Sequence, residues 1–326
     1  MAERVFAVGV DLGGTKVATG ITDTRGRVLY RVERPTEAEK GVERVFDNIH
    51  TTVREVIDRA GASLDQIVGI GVCSPGPLDP ATGVVLFAPN LKWNNVPLKK
   101  TMEEALGLPV SVENDARLAA LGEFYSGAGR GAENMVYITV STGIGGGLIF
   151  DGRLYRGTSY VAGEVGHTII EPGGPRCGCG NRGCLEALAS GTAIARMARE
   201  LVAAGHGKRI LALAGGDESL ITAKLVARSA GEGDEEALSI LDRAFTYLGI
   251  GVANLVNLLN PEVIVIGGGV ARIGDKLFEK VRQVVSQTAI SAASGAVRIV
   301  PSLLGGDAGV VGAAVLALGP AYVDSH

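Results

Sequence analysis

Val5-Phe6-Ala7-Val8-Gly9-Val10 runs directly into Asp11-Leu12-Gly13-Gly14-Thr15-Lys16, and a second apolar, β-branched stretch, Val17 to Thr22, leaves that turn. Arg25-Gly26 then turns the chain into a third such stretch, Val28 to Val32, so the opening predicts an antiparallel three-stranded meander. The same theme returns later. Met135 to Val140 enters Ser141-Thr142-Gly143-Ile144-Gly145-Gly146-Gly147, and Leu148-Ile149-Phe150 leaves it. Setting Gly13 against Gly143 places Ala7–Val10 on Tyr137–Val140, which reads as an internal duplication of one strand–glycine turn–strand unit. No third copy follows, which argues against a solenoid.

Outward from these turns the pattern mixes strands and helices. Val42, Val45, Phe46, Ile49, Val53, Val56 and Ile57 recur in steps of three and four and predict a helix over residues 41–60. Ile67 to Val72 is a continuous apolar strand, broken by Cys73-Ser74-Pro75-Gly76-Pro77. Pro75, Pro77, Pro80, Pro89 and Pro97 make residues 74–99 an expected long ordered loop without regular elements. A short helix (98–106), a strand (Val110 to Glu113) and a helix from Ala116 to Tyr125 follow. Beyond the second glycine turn, helices are expected over 184–206, 219–230 and 235–259, the last stopped by Asn260-Pro261. Val263 to Ile266 then runs into Gly267-Gly268-Gly269, and a helix to about 287, a strand (Arg298 to Pro301) and a helix from about Ala308 to Leu318 finish the chain. Two α/β halves with a cleft between them are the simplest architecture for this order.

Composition excludes several classes. The 326 residues are 46% hydrophobic and 20% charged, enough for a sizeable core and incompatible with global disorder. The formal net charge of −4 offers no basic excess for nucleic acid or an anionic membrane. Mean hydropathy is high at +0.26. Even so, the richest apolar tract, Leu248 to Ile266, is interrupted by Asn254, Asn257, Asn260, Pro261 and Glu262, short of the roughly 18 uninterrupted apolar residues of a membrane span. The Met-Ala-Glu-Arg start lacks the long hydrophobic region of a signal peptide, so a soluble cytoplasmic protein is expected.

The 48 glycines cluster in turns, which suits phosphate binding: backbone N–H groups can aim at the anion with no Cβ in the way. No Gly-Lys-Ser/Thr triplet is present for a P-loop. The dinucleotide pattern fails as well, with Leu148 and Arg272 where its last glycine belongs. A pair of matched hairpin turns remains, able to clasp a phosphate chain. In that reading Asp11 holds a hydrated Mg²⁺ while Thr15, Lys16 and Thr142 contact phosphate oxygens. Backbone geometry alone is the bland explanation for any one such turn.

Three of the four cysteines fall within eight residues, and His167, Cys177, Cys179 and Cys184 form a His-x9-Cys-x-Cys-x4-Cys set. One imidazole and three thiolates suit a closed, structural Zn²⁺ site, whereas disulfides would leave an odd thiol. A closed site is no catalyst, so this metal should shape a loop. Cys73, at a strand end, reads as a buried inert thiol. Asp115, Glu164 and Glu186 are the acid–base candidates. Asp115 stands where a strand meets a helix, the usual place for functional groups in an α/β cleft, and it serves equally well as a helix cap beside Asn114. A metal cluster would draw Glu164 and Glu186 into one neighbourhood, where each can accept hydrogen bonds from a polyol.

Together, Asp11–Lys16, Glu113-Asn114-Asp115-Ala116, Ser141–Gly147, Gly163-Glu164-Val165-Gly166-His167 and Cys177–Glu186 resemble the ROK family (repressors, open reading frames and kinases), in its bacterial glucokinase branch. The resemblance spans nearly the whole chain. It implies an actin-like, RNase H-like two-domain ATPase fold with an interdomain cleft closing around a sugar. The small domain would hold residues 1–116 plus a C-terminal helix of about 308–326, and the large domain, 117–307, would carry the zinc loop. Asp115 would be the general base for the sugar 6-hydroxyl, and Asn90, Asn114, Glu164, His167 and Glu186 would hold other hydroxyls. Asp11, Gly13, Gly14, Thr15, Lys16, Thr142, Gly143 and Gly145 would carry the ATP phosphates, and Gly267, Gly268 and Gly269 would border the adenosine. The implied reaction is ATP- and Mg²⁺-dependent phosphorylation of a hexose, glucose first, with fructose, N-acetylmannosamine and N-acetylglucosamine as alternatives. Polyphosphate is an alternative donor in some relatives. A homodimer or homotetramer is implied as well. Repressors of this family carry a winged helix–turn–helix ahead of the kinase-like part; here the phosphate strand begins at Val5, so a sugar-sensing regulator is not expected.

Overall fold

A computed structural model describes residues 5–319. The opening meander is β1 (Phe6–Leu12), β2 (Lys16–Asp23) and β3 (Val28–Pro35), antiparallel in sequence order. Helix α1 (Val42–Arg59) follows, and β4 (Ile67–Ser74) lies parallel to β1. Residues 74–99 depart from the expected irregular loop: β5 (Leu78–Asp79), β6 (Val84–Ala88) and β7 (Trp93–Val96) form a small antiparallel sheet. These strands are two to five residues long, too short to display a period, and all five prolines fall at the junctions. Helix α2 (Leu98–Leu106) leads to β8 (Val110–Asn114), which pairs in parallel with β4, and α3 (Asp115–Ser126) starts at once.

The second copy of the meander is β9 (Met135–Val140), β10 (Ile144–Phe150) and β11 (Arg153–Tyr155). Five helices follow: α4 (Leu185–Ala189), α5 (Gly191–Ala203), α6 (Lys208–Leu213), α7 (Ala223–Gly231) and α8 (Glu235–Leu259). The helix expected over 184–206 is broken at Ser190, whose Oγ accepts the Ala193 N–H at 3.1 Å and caps a new start. The chain ends with β12 (Val263–Gly267), α9 (Asp275–Thr288), α10 (Ser291–Ala296), β13 (Arg298–Pro301) and α11 (Ala308–Leu318). Residues 320–326, part of the expected C-terminal helix, lie outside the described residues.

The two large sheets have the same plan. One runs β3-β2-β1-β4-β8 and the other β11-β10-β9-β12-β13, each a meander extended by two parallel strands. The duplication read from two glycine turns therefore extends to five strands. By compactness the chain divides into one unit made of the chain through Glu133, Gly147–Ala162 and the chain from Leu303, and another made of Asn134–Gly146 and Gly163–Ser302.

In the first unit, Val8, Val10, Ile21, Ile70 and Val72 of the sheet and Val45, Ile49 and Val53 of α1 share a core with no solvent exposure. Burying each such side chain contributes about 1.5–3 kcal/mol. Helix α11 packs on the same sheet through glycines: a Cβ on Gly9 would lie 1.9 Å from the Val310 carbonyl oxygen, and one on Gly71 only 1.7 Å from that of Ala313. The second unit is built around α8, whose Leu241, Phe245, Leu248, Val252 and Val256 are buried, with β12 wholly buried in its sheet. Among the described residues no helix is long and apolar enough to cross a membrane.

Candidate active site

In the first unit three parallel strands end side by side, with Asp11 opposite Cys73, Cys73 opposite Glu113, and Ser74 opposite Asn114. The carboxyl ends of such strands are where α/β folds place functional groups. Asp11 accepts a hydrogen bond from the Cys73 thiol, and burial, reinforced by the charge of Asp115, raises its pKa above the usual carboxylate range. Burial and the two aspartates likewise push the Cys73 thiol well up, in keeping with the inert thiol expected there.

Asp115 is the first residue of α3. The cap is Asn114, whose Oδ1 accepts the N–H groups of Ala116 (3.0 Å) and Arg117 (3.3 Å), so the capping task read for Asp115 falls to its neighbour. Asp115 Oδ1 accepts the Ala116 N–H at 2.7 Å, and Asn114 hydrogen-bonds to the same carboxylate. Asp115 is exposed as a residue, yet it stands in a concave setting where the protein packed around it leaves little water about its carboxyl, and this desolvation raises the pKa against those bonds and the Arg117 charge.

A charged cluster that the sequence reading missed holds this turn in place. Glu113 is wholly buried; its Oε1 accepts from Arg117 Nε (2.8 Å) and the Asn114 N–H (2.9 Å), and its Oε2 from Arg156 Nε (2.6 Å). The available signal was a carboxylate at a strand position otherwise apolar, with Arg one helical turn later.

The first glycine turn closes with the Gly13 N–H on the Lys16 carbonyl (2.9 Å), and Thr36 Oγ1 donates to the Gly13 carbonyl (2.6 Å). Gly14 presses on Asn90: a Cβ there would lie 2.8 Å from Asn90 Cβ, so turn and exposed Asn90 are in contact. Thr15 is exposed, and Lys16 Nζ pairs with Glu33 at 2.9 Å.

In the second unit, the turn Ser141–Gly143 joins β9 to β10. Gly191 N–H donates to the Ser141 carbonyl (2.7 Å), and Thr192 donates to the Thr142 carbonyl through its N–H (3.3 Å) and Oγ1 (2.8 Å). Ser141, Thr142, Thr192, Arg199, Lys224 and Gly269 are among the residues lining a cavity of about 680 Å³. Gly267 and Gly268 are instead packed against Tyr137 and Val140; Gly268 has a φ of 90°, and a Cβ on it would meet the Val140 carbonyl oxygen at 2.4 Å. Gly145 lies on β10. The helical walls from α5 and α7 carry no motif, which is why the sequence reading missed them.

His167 sits on a single turn after Glu164, its N–H donating to the Glu164 carbonyl at 3.1 Å, and Glu164 is exposed. The donor atoms of His167, Cys177, Cys179 and Cys184 all lie within 4.8 Å of one another. Two pairs, Cys179 Sγ–Cys184 Sγ and Cys177 Sγ–His167 Nδ1, are each 3.7 Å apart. A tetrahedron with metal–sulfur bonds of about 2.3 Å has edges of roughly 3.8 Å, so the set fits Zn²⁺. Burial pushes the Cys184 thiol up to about 12, while the Asn181 backbone N–H draws that of Cys179 down. Glu186 stands beside this cluster, Oε1 3.8 Å from Cys177 Sγ and Oε2 accepting the Ile144 N–H at 2.9 Å.

A duplicated five-stranded sheet with a glycine turn in each copy is the frame of the actin-like two-domain fold. The ROK family matches residues 7–319. A glucokinase of Halalkalibacterium halodurans is 42% identical over 313 residues, covering 96% of this chain and 94% of that one. The crystal structure of a ROK glucokinase from Streptomyces griseus in complex with glucose and AMPPNP aligns with a TM-score of 0.79 at 37% identity, over 95% of this chain and 98% of that one. A ROK hexokinase from Thermus thermophilus aligns at 0.83 and 37%, over 98% and 100%. The chain belongs to the ROK family.

Proposed function

We propose that this chain transfers the γ-phosphoryl group of ATP to O6 of D-glucose, with Asp115 as general base. The observation that carries it is the placement of Asp115: a carboxylate of raised pKa at the head of α3, locked by Asn114 and the buried Glu113, beside the strand end that bears Asp11. In the reaction the O6–H proton passes to the Asp115 carboxylate, O6 forms the new bond to the γ-phosphorus, and the bond to the β-phosphate oxygen breaks to release ADP. Asn90, Asn114, Glu164, His167 and Glu186 orient the sugar hydroxyls; with Nδ1 turned to the cysteines, His167 has Nε2 for this purpose. The two glycine turns hold the phosphates, and the cavity walled by α5, α7 and Gly269 takes the nucleoside. Asp11 would hold Mg²⁺, which neutralises charge on the phosphates. His167, Cys177, Cys179 and Cys184 would hold Zn²⁺, which organises the loop. Glucose as acceptor and ATP as donor are supported by the glucokinase relatives and by the complex with glucose and AMPPNP.

Asp115→Asn tests the assignment. Loss of a general base lowers kcat by about 10²–10⁴-fold, and turnover near that of the parent would reject Asp115 in this role. A coupled ADP-release assay over a panel of hexoses tests the acceptor. The proposal includes a homodimer or homotetramer. In its support, Leu258 and Ile290 are 79% and 66% exposed, and their segments are joined by the Ile290 N–H donating to Asn257 Oδ1 at 2.9 Å. Sedimentation equilibrium decides it.

A further inference from the structure

The second glycine turn is gripped from one short stretch of chain. Its carbonyls at Ser141 and Thr142 accept from Gly191 and Thr192, and the Ile144 N–H that closes it donates to Glu186 Oε2 at 2.9 Å. All these partners lie within residues 186–192, and that stretch begins two residues after Cys184, one of the four clustered donors. The carboxylate lies against the turn itself: a Cβ on Gly143 would fall 2.4 Å from Glu186 Oε2 and would have to push that side chain aside. The other oxygen of the same carboxylate is 3.8 Å from Cys177 Sγ. Ser141, Thr142, Gly191 and Thr192 also line the 680 Å³ cavity. One carboxylate therefore touches both the metal cluster and the turn that walls the nucleotide cavity.

We propose that Glu186 is a positioning residue for the nucleotide, coupling the His/Cys cluster to the Ser141–Gly143 turn so that metal and nucleotide each tighten the other's binding. This rests on the reading of the cavity as the ATP site, and it adds a linkage that a purely loop-shaping metal would not have. A bound cation fixes Cys184 and with it the start of α4, which sets where Glu186 and Thr192 meet the turn. When the frame loosens, the turn loses its hydrogen-bond partners and the ordering cost falls on nucleotide binding. Binding linkage is reciprocal by thermodynamic necessity.

The test measures binding without sugar and without turnover. The Kd of Mg²⁺–AMPPNP is determined by calorimetry on zinc-loaded protein and on protein stripped with a chelator, with circular dichroism to confirm that both are folded. Stripping is expected to weaken AMPPNP about fivefold or more, and AMPPNP is expected to tighten zinc by the same factor in competition with a chromophoric chelator. Zinc-loaded Glu186→Ala should bind AMPPNP as weakly as the stripped parent and lose the metal dependence. Equal Kd values for loaded and stripped parent, or an unchanged metal dependence in Glu186→Ala, would overturn the coupling. Should the stripped protein unfold, zinc-loaded Glu186→Ala decides alone: a fivefold rise in Kd supports the coupling and an unchanged Kd defeats it. Absence of AMPPNP binding to the loaded parent would sink both this coupling and the ATP assignment. Flat Kd values with a dead Asp115→Asn would leave the kinase reading standing.

Discussion

Glu113→Gln removes one negative charge from a fully buried group without changing its volume. Of its two guanidinium partners, Arg117 is 5% exposed and Arg156 33% exposed. A glutamine keeps one carbonyl, able to accept from Arg117 or the Asn114 N–H, but its NH₂ then faces Arg156 Nε across what was a 2.6 Å contact, donor against donor. Removing one partner of a buried ion pair costs about 3–5 kcal/mol. Arg156 can turn partly to water, which places the expected loss near the lower end, about 3 kcal/mol. In a cooperative unit of this size each kcal/mol moves Tm by roughly 2–4 °C, so a fall of about 6–12 °C is expected. The assay is a thermal melt at pH 7, run beside Arg156→Met, which should cost less than Glu113→Gln because the side chain removed is one-third exposed and Glu113 keeps Arg117. A Tm for Glu113→Gln within about 2 °C of the parent would refute the reasoning, because it would mean that Glu113 is not held as an anion between the two arginines.

Asp115 has its pKa raised chiefly by desolvation, so the proton is favoured in the folded state; the stability this contributes is present at low pH and is lost as pH rises through the folded-state pKa. Asp115→Asn should therefore raise Tm at neutral pH while lowering kcat by about 10²–10⁴-fold, and in the parent the acid limb of kcat should lie above the ordinary carboxylate range; a lowered Tm would contradict the sign. Cys179 is exposed, so Cys179→Ser costs little packing and should lose bound zinc by atomic absorption and weaken hexose binding; full zinc content or unchanged hexose affinity would refute the loop's role. Gly71→Ala drives a Cβ to 1.7 Å from the Ala313 carbonyl oxygen and should cost about 3 kcal/mol or more as α11 is displaced, whereas Gly295→Ala, with nothing within 4 Å, should be neutral or stabilising in the same melts.

Much of this arrangement was visible in the chain because local chemistry wrote it there. The glycine turns announce themselves by composition, the metal set by residue type and spacing, and α8 by a period of apolar residues ended at Asn260-Pro261. The small sheet β5–β7 was invisible because its strands are shorter than any period and the prolines between them imitate a loop. The grip on the second glycine turn was invisible for a different reason. Glu186 and Ile144 are 42 positions apart in sequence, and nothing local to either announces the hydrogen bond. The glycines of β1 and β4 carried no reading of their own, and only the approach of α11, more than 200 residues away in sequence, explains them. Glu113 shows the limit most clearly. A charge at a buried strand position looks like an error in the pattern until its two arginines, one from α3 and one just after β11, are seen around it.

The shared order of the two large sheets has a consequence for how such a protein acquires novelty. In each copy the chain leaves the meander after its third strand and must return to lay the fourth beside the first. In the first copy that excursion, residues 36–66, is little more than α1; in the second, residues 156–262 carry the cysteine loop and five helices through the equivalent gap. The strand ladder tolerates cargo of very different length at one address because that address lies outside the ladder's own hydrogen bonding. A designer wishing to graft a new recognition element should therefore choose the short excursion of the first copy, where the partner copy already demonstrates that the scaffold permits it.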